Sequence, residues 1–251
     1  MTSPSEERRI STTERSFEII DELRELDGAR IQTLADRLNV TKSTVYQHLT
    51  TLQEIGYITK EGDHFYPSIH FAHIGEYARS RKEEFNHGKK IAELLTKEIG
   101  LNSSFYVEEN GYGLMVHSES QLRQVPHLYP QVGQKTYLHT IAGGKVILAN
   151  LPRNRIHEII SKHGLVKQTD STITDETALY DQLEVIRDRG YAFNRGENRD
   201  GALSVGIPLF ESRNSVIGGV SVGGGEYQLD EEWLTEQVPT KMKSIRDENP
   251  L

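Results

Sequence analysis

Thr41-Lys42-Ser43-Thr44-Val45-Tyr46-Gln47-His48-Leu49-Thr50-Thr51-Leu52 is the stretch on which the fold turns. Val45, Leu49 and Leu52 are spaced four and three residues apart, so a helix built on them buries one side. Thr41 is placed to cap that helix. Its other side shows Lys42, Ser43, Tyr46, Gln47 and Thr50. A cation, short hydroxyls, an aromatic ring and an amide are the groups that hold phosphates and read base edges. The helix is therefore expected to face DNA, with Thr41, Lys42, Ser43, Thr44, Tyr46, Gln47 and Thr50 as its contact set.

Working upstream, Ser11-Thr12-Thr13-Glu14 fits a capping box. Phe17, Ile20, Leu23 and Leu26 follow at helical spacing, and Asp27-Gly28 offers a stop. A short second helix over 32–38 carries Leu34, Ala35 and Leu38 inward, and Asn39-Val40 turns the chain. Downstream, Gly56 closes the third helix and Tyr57-Ile58-Thr59-Lys60 starts a strand. Glu61-Gly62-Asp63 turns, and His64-Phe65-Tyr66 returns. Three helices and a β-hairpin in this order predict a winged helix-turn-helix, with Lys60 joining the DNA contacts from the wing. A small helical bundle with a polar surface would share the three helices. The hairpin directly after them favours the DNA reader.

Charge pulls the other way. Residues 1–70 hold eight Lys/Arg against twelve Asp/Glu, half of the chain's net −8. A DNA reader normally gains affinity by neutralising phosphates and releasing counterions. Here either dimer geometry and hydrogen bonding supply the affinity, or the cell is salty enough to make long-range attraction useless.

The chain is 251 residues long and 35% hydrophobic, enough for one large or two ordinary globular domains. No apolar run approaches the roughly 20 residues of a membrane span, and Met1-Thr2-Ser3-Pro4 does not open a signal peptide. A cytoplasmic location is expected. With no cysteine, disulfides, thiolate zinc sites and a cysteine nucleophile are excluded.

Residues 71–85 predict a linker helix and 89–99 a further amphipathic one. Strands are predicted at 103–107, 113–118, 191–194, 202–209 and 216–223, with Arg213-Asn214-Ser215 as a hairpin connection. Helices are predicted at 140–150, 153–163, 175–189 and 231–245. Grouped hairpins with interspersed helices give an α+β domain around an antiparallel sheet. The expected domains are residues 1–70 for DNA binding, 71–85 as linker and 86–251 for effector binding.

Several separated motifs resemble one family. Gly133, then Leu138-His139-Thr140-Ile141-Ala142-Gly143-Gly144-Lys145-Val146-Ile147-Leu148-Ala149, is similar to a stretch of the isocitrate lyase regulator (IclR) family. So are Ile186-Arg187-Asp188-Arg189-Gly190-Tyr191-Ala192-Phe193-Asn194-Arg195-Gly196-Glu197, Pro208, and Val216-Ile217-Gly218-Gly219-Val220-Ser221-Val222. Lys42-Ser43-Thr44-Val45-Tyr46 and Leu52-Gln53-Glu54-Ile55-Gly56-Tyr57-Ile58 resemble its recognition helix and wing. The resemblance implies a transcription regulator with a winged helix-turn-helix, a linker helix and a GAF-like effector domain with an antiparallel sheet flanked by helices. It implies assembly as homodimers or dimers of dimers on double-stranded operator DNA. It places a small organic effector near Ala142 and Gly143, facing Asn194, Ala202, Ser204, Ser221 and Gly223. Arg195 and Arg199 nearby would favour an anionic effector, unless they are solvated loop charges. The resemblance implies no cofactor.

Enzyme readings find less support. Gly143-Gly144-Lys145 lacks a phosphate loop's glycine five residues before its Gly-Lys, where His139 stands, and Val146 replaces its Ser or Thr. No Gly-x-Ser-x-Gly elbow occurs, and the glycines of 218–225 are explained by close packing at a strand end. Of ten histidines none shows metal-ligand spacing on a predicted helix; His117, His127 and His139 are the set to watch for convergence, against the commoner case of separately satisfied residues. No catalytic residue and no metal ligand are assigned.

Overall fold

The computed structural model describes residues 9–120, 131–211 and 215–251. The chain divides into two compact units, Met1–Ala78 and Arg79–Leu251. His127, Arg213 and Asn214 lie outside the described residues.

The first unit runs α1 (Ser11–Glu25), α2 (Ile31–Arg37), α3 (Lys42–Glu54), the antiparallel hairpin β1 (Ile58–Glu61) and β2 (His64–Pro67), then all but the last two residues of α4 (His70–Ser80). Its core joins Ile19 and Leu23 of α1, Leu34 of α2, Val45 and Leu49 of α3, and Phe65 of β2. The wing is tied back to the helices: Ala29 and Phe65 exchange backbone hydrogen bonds of 3.1 and 2.9 Å. Gly28 makes this approach possible. It has φ +92°, and a Cβ there would sit 2.1 Å from the Tyr66 ring.

Two local expectations for α1 are corrected. Ser11 does not cap; the helix begins at Ser11 and its N-cap residue is Ile10, with no side-chain cap bond. Nor is Phe17 buried: it is exposed, and Ile19 takes its place in the core. The reason is geometric. Steps of three residues lag a helix turn by roughly 60°, so Phe17 and Leu26 end about 180° apart and cannot share one face.

The connector also differs. Instead of one helix over 71–85, α4 ends at Ser80 and α5 (Glu83–Ile99) runs unbroken through Gly88, taking Phe85 into the second unit's core. Gly88 serves packing, since a Cβ there would lie 2.3 Å from the Phe105 ring.

The second unit is built on a six-stranded antiparallel sheet in the order β5-β4-β3-β8-β7-β6. These strands are β3 (Asn102–Glu109), β4 (Tyr112–Glu119), β5 (Lys135–Tyr137), β6 (Ala192–Arg195), β7 (Ala202–Phe210) and β8 (Val216–Gly225). Strand alternation separates two cores. Phe105, Val107, Val205, Ile207, Val220 and Val222 face α5, α9 (Glu231–Glu236) and α10 (Val238–Glu248). On the opposite face, Tyr106 and Met115 pack with α6 (Ala142–Asn150), α7 (Arg153–His163) and α8 (Glu176–Arg189). The architecture is α+β. The single helix expected over 231–245 is split at Gln237, because Pro239 must fall in the first turn of a new helix. The short edge strand β5 was not foreseen; three residues give too little alternation to read. No helix among the described residues is long and apolar enough to cross a membrane.

Candidate functional site

Two surfaces carry the candidate residues. The first is α3. Thr41 caps it, accepting the Thr44 amide at 3.1 Å, while the Thr41 and Thr44 hydroxyls lie 2.9 Å apart. Val45, Leu49 and Leu52 seat the helix in the core. Lys42, Ser43, Tyr46 and Gln47 are exposed, with Thr44 and Thr50 half-buried beside them. Lys60, on β1, lies over the Phe65 ring at 5.3 Å and is exposed. His48 was not foreseen: its Nδ1 lies 2.8 Å from the Ser16 hydroxyl, tying α3 to α1. Burial, then Arg15, holds its imidazole below the ordinary range.

The second surface is a cavity of about 450 Å³ in the second unit, on the α6 side of the sheet. Asn194, Ala202, Ser204, Ser221 and Gly223 all line it. Five strands, β3, β4, β6, β7 and β8, supply its wall, because alternate residues of a strand point the same way. Asn102, Ser104, Tyr106 and Ser118 complete that wall, and sequence reasoning missed them. Their signal was available: a polar residue on each strand where alternation calls for an apolar one. Burial pushes the Tyr106 phenol up to about 12, against the pull of a hydrogen bond with Ser104, so it stays a neutral donor.

Ala142 and Gly143 do not line the cavity; Ile141 stands there instead. Both are buried under the sheet. A Cβ on Gly206 would sit 2.6 Å from the Ala142 carbonyl carbon, and one on Gly219 2.0 Å from the Gly143 carbonyl oxygen. The glycines of the motif thus let α6 lie directly on β7 and β8.

The cavity rim is the loop 196–201, held by several ties. Asn194 accepts the Glu197 amide at 2.9 Å and donates to Asn198 at 2.7 Å. Thr169 donates to the Gly196 carbonyl at 2.7 Å and Thr172 to that of Glu197 at 2.6 Å. The Glu197 carboxylate accepts the Arg195 amide at 2.5 Å and pairs with the Lys145 ammonium from α6. That pair is buried, with side chains 1% and 9% exposed. Burial lowers the Lys145 pKa, and Glu197 works against the shift. Arg199 lines the cavity, whereas Arg195 lies outside the lining, paired with Glu231 at 3.0 Å.

His117 and His139 do not converge. His139, buried in the turn before α6, has Nε2 3.3 Å from the Val166 carbonyl. His117 faces α5 from β4, opposite the cavity face. Burial holds the His117 imidazole below its usual range, against the pull of Glu93 and Glu119.

A winged helix-turn-helix joined in one chain to a cavity-bearing α+β unit is the layout of a one-component transcription regulator. Residues 12–62 match the IclR helix-turn-helix domain, and residues 84–246 match the family described as bacterial transcriptional regulator IclR C-terminal. The chain belongs to the IclR family of transcriptional regulators. It is 30% identical over 237 residues to the probable HTH-type transcriptional regulator ArcR of Halobacterium salinarum, covering 93% of this chain and 90% of that one. The crystal structure of the Thermotoga maritima IclR matches with a TM-score of 0.75 and 25% identity, over 96% of this chain and 97% of that one. The inducer-binding domain of PobR from Acinetobacter, solved as a double mutant with 3-hydroxybenzoic acid, matches with a TM-score of 0.59 and 23% identity, over 65% of this chain and 95% of that one.

Proposed function

We propose that this regulator reads double-stranded operator DNA with α3 and the wing, and that a small organic effector in the cavity sets its operator affinity. The observation that carries the reading is the division of α3 into an apolar side seated in the core and an exposed side bearing Lys42, Ser43, Tyr46 and Gln47. The effector best suited to the cavity is a small hydroxylated acid. Asn102, Ser104, Asn194, Ser204 and Ser221 offer neutral hydrogen bonds to hydroxyls, and Arg199 brings a cation to a lining that also holds Asp200 and Glu226. The chain works in the cytoplasm, beside its DNA, and catalyses nothing.

Two copies per operator belong to the same proposal, as a homodimer or a dimer of dimers. A single reader this poor in positive charge binds weakly, and a palindromic site doubles its contacts. Ile74 and Tyr77 of α4 are exposed apolar side chains three residues apart, and Ile69 just before it is 88% exposed. A second copy is the partner such side chains suit.

The experiment is a titration of the DNA upstream of the protein's own gene. Gln47→Ala should cost about 1–3 kcal/mol of discrimination between operator and mismatched sequences. Lys42→Ala should instead weaken all sequences alike and reduce the salt slope by about one. Two chains should bind each duplex. Unchanged affinity in both folded variants would remove α3 as the reading surface.

A further inference from the structure

We infer that His117, Glu93 and Glu119 form a binding site for one divalent transition-metal ion, on the face of the sheet opposite the effector cavity. His117 and Glu119 are two residues apart on β4 and so point to the same face, and Glu93 meets them from α5. One ligand atom from each residue lies within 4.8 Å of the other two. The His117 Nε2 is 3.4 Å from a Glu119 oxygen and 3.9 Å from a Glu93 oxygen.

The imidazole supplies the independent observation. His117 is 8% exposed, and its Nε2 is buried without a hydrogen-bond partner. A buried ring nitrogen without a partner loses its hydration for nothing in return. It is aimed at two carboxylates yet bonds to neither. Donors around an ion held at about 2.1 Å stand roughly 3.0–3.4 Å from one another in octahedral or tetrahedral geometry. The Glu119 oxygen already meets that spacing, and the Glu93 side chain, 46% exposed, is free to close the remaining half ångström. Lys89 lies 3.8 Å from Glu93, and an ion would take over the neutralising role of its ammonium.

The donor set indicates the class of ion. One imidazole nitrogen and two carboxylates, without sulfur, suit zinc, manganese or ferrous iron, and leave positions for water. The ion would pin α5 to β4. Ser118, between the two β4 ligands, points the other way into the cavity wall, so occupancy on one face fixes the strand that lines the other.

The test uses tag-free, full-length protein stripped with EDTA and titrated calorimetrically with Zn²⁺ and, separately, Mn²⁺. One ion per chain is expected. Glu93→Gln and Glu119→Gln should each weaken binding about 10-fold or more, and His117→Gln should abolish it. Glu93 is on the surface, so its variant stays folded even if the His117 variant does not. Co²⁺ should give visible d–d bands that shift in Glu93→Gln. Absence of stoichiometric binding at micromolar protein, or affinity unchanged in both glutamine variants of the carboxylates, overturns the assignment.

Discussion

Glu197→Ala should lower the stability of the second unit by about 3–5 kcal/mol, because it leaves the buried Lys145 ammonium without its counter-charge. Desolvating an ammonium is tolerable only while a carboxylate and its hydrogen bonds stand beside it. With the carboxylate gone, Lys145 either loses its proton or forces α6 away from the sheet. The loop 196–201 should loosen as well, since the same carboxylate holds the Arg195 amide. Chemical denaturation of the second unit measures the loss. A double replacement, Lys145→Met with Glu197→Leu, should recover most of it, because an apolar pair of similar volume needs no compensation. Full recovery in Glu197→Ala alone would mean that the pair is not buried as described.

Leu49→Ala has the next largest effect, expected at about 2–5 kcal/mol. Leu49 is fully buried at the centre of the first unit, between α1, α2 and the wing. A unit of this size has a total stability near that loss, so the variant should unfold its DNA reader under mild conditions. The second unit has its own core and should be untouched. Hydrogen exchange resolves the two: amides of α1–α3 should lose protection, while those of β7 and β8 keep theirs. Equal loss in both units would show that the chain folds as one cooperative block.

The first unit was legible in the sequence because its elements are short, local and strongly patterned. The spacing of Val45, Leu49 and Leu52 fixed the buried side of α3, and the cap at Thr41 formed as read. The errors came where a side chain answered to distant partners. The break expected between the helices over 71–85 and 89–99 is absent, and only the Phe105 ring, brought over Gly88 by the sheet, explains the glycine there. Ser11 resembles a cap in isolation, but the helix begins one residue too early for it to serve. Asn194, Ser204 and Ser221 line the cavity, and it was the family resemblance, not spacing, that singled them out. Asn102, Ser104 and Ser118 were missed because their strands pair with β8 or with one another only in the folded sheet. Ala142 and Gly143 lie outside that lining for a related reason. Small residues at a helix start suit both a ligand and a close-packed sheet, and here the sheet occupies the space. Lys145 shows the same limit: its burial and its partner 52 residues away become visible only after folding.

The link between cavity and operator is tested most directly by one titration. Operator affinity is measured by fluorescence anisotropy across a panel of small hydroxylated organic acids, for the wild type and for Ser204→Leu. Ser204 lines the cavity from β7, and a leucine there fills the volume an effector would need. In the wild type at least one acid should change operator affinity roughly 5- to 150-fold, the range of typical coupling energies. Ser204→Leu should bind the operator as the wild type does without effector, and should not respond to that acid. A response of equal size in both proteins would contradict the account, because the effector would then be acting somewhere other than this cavity.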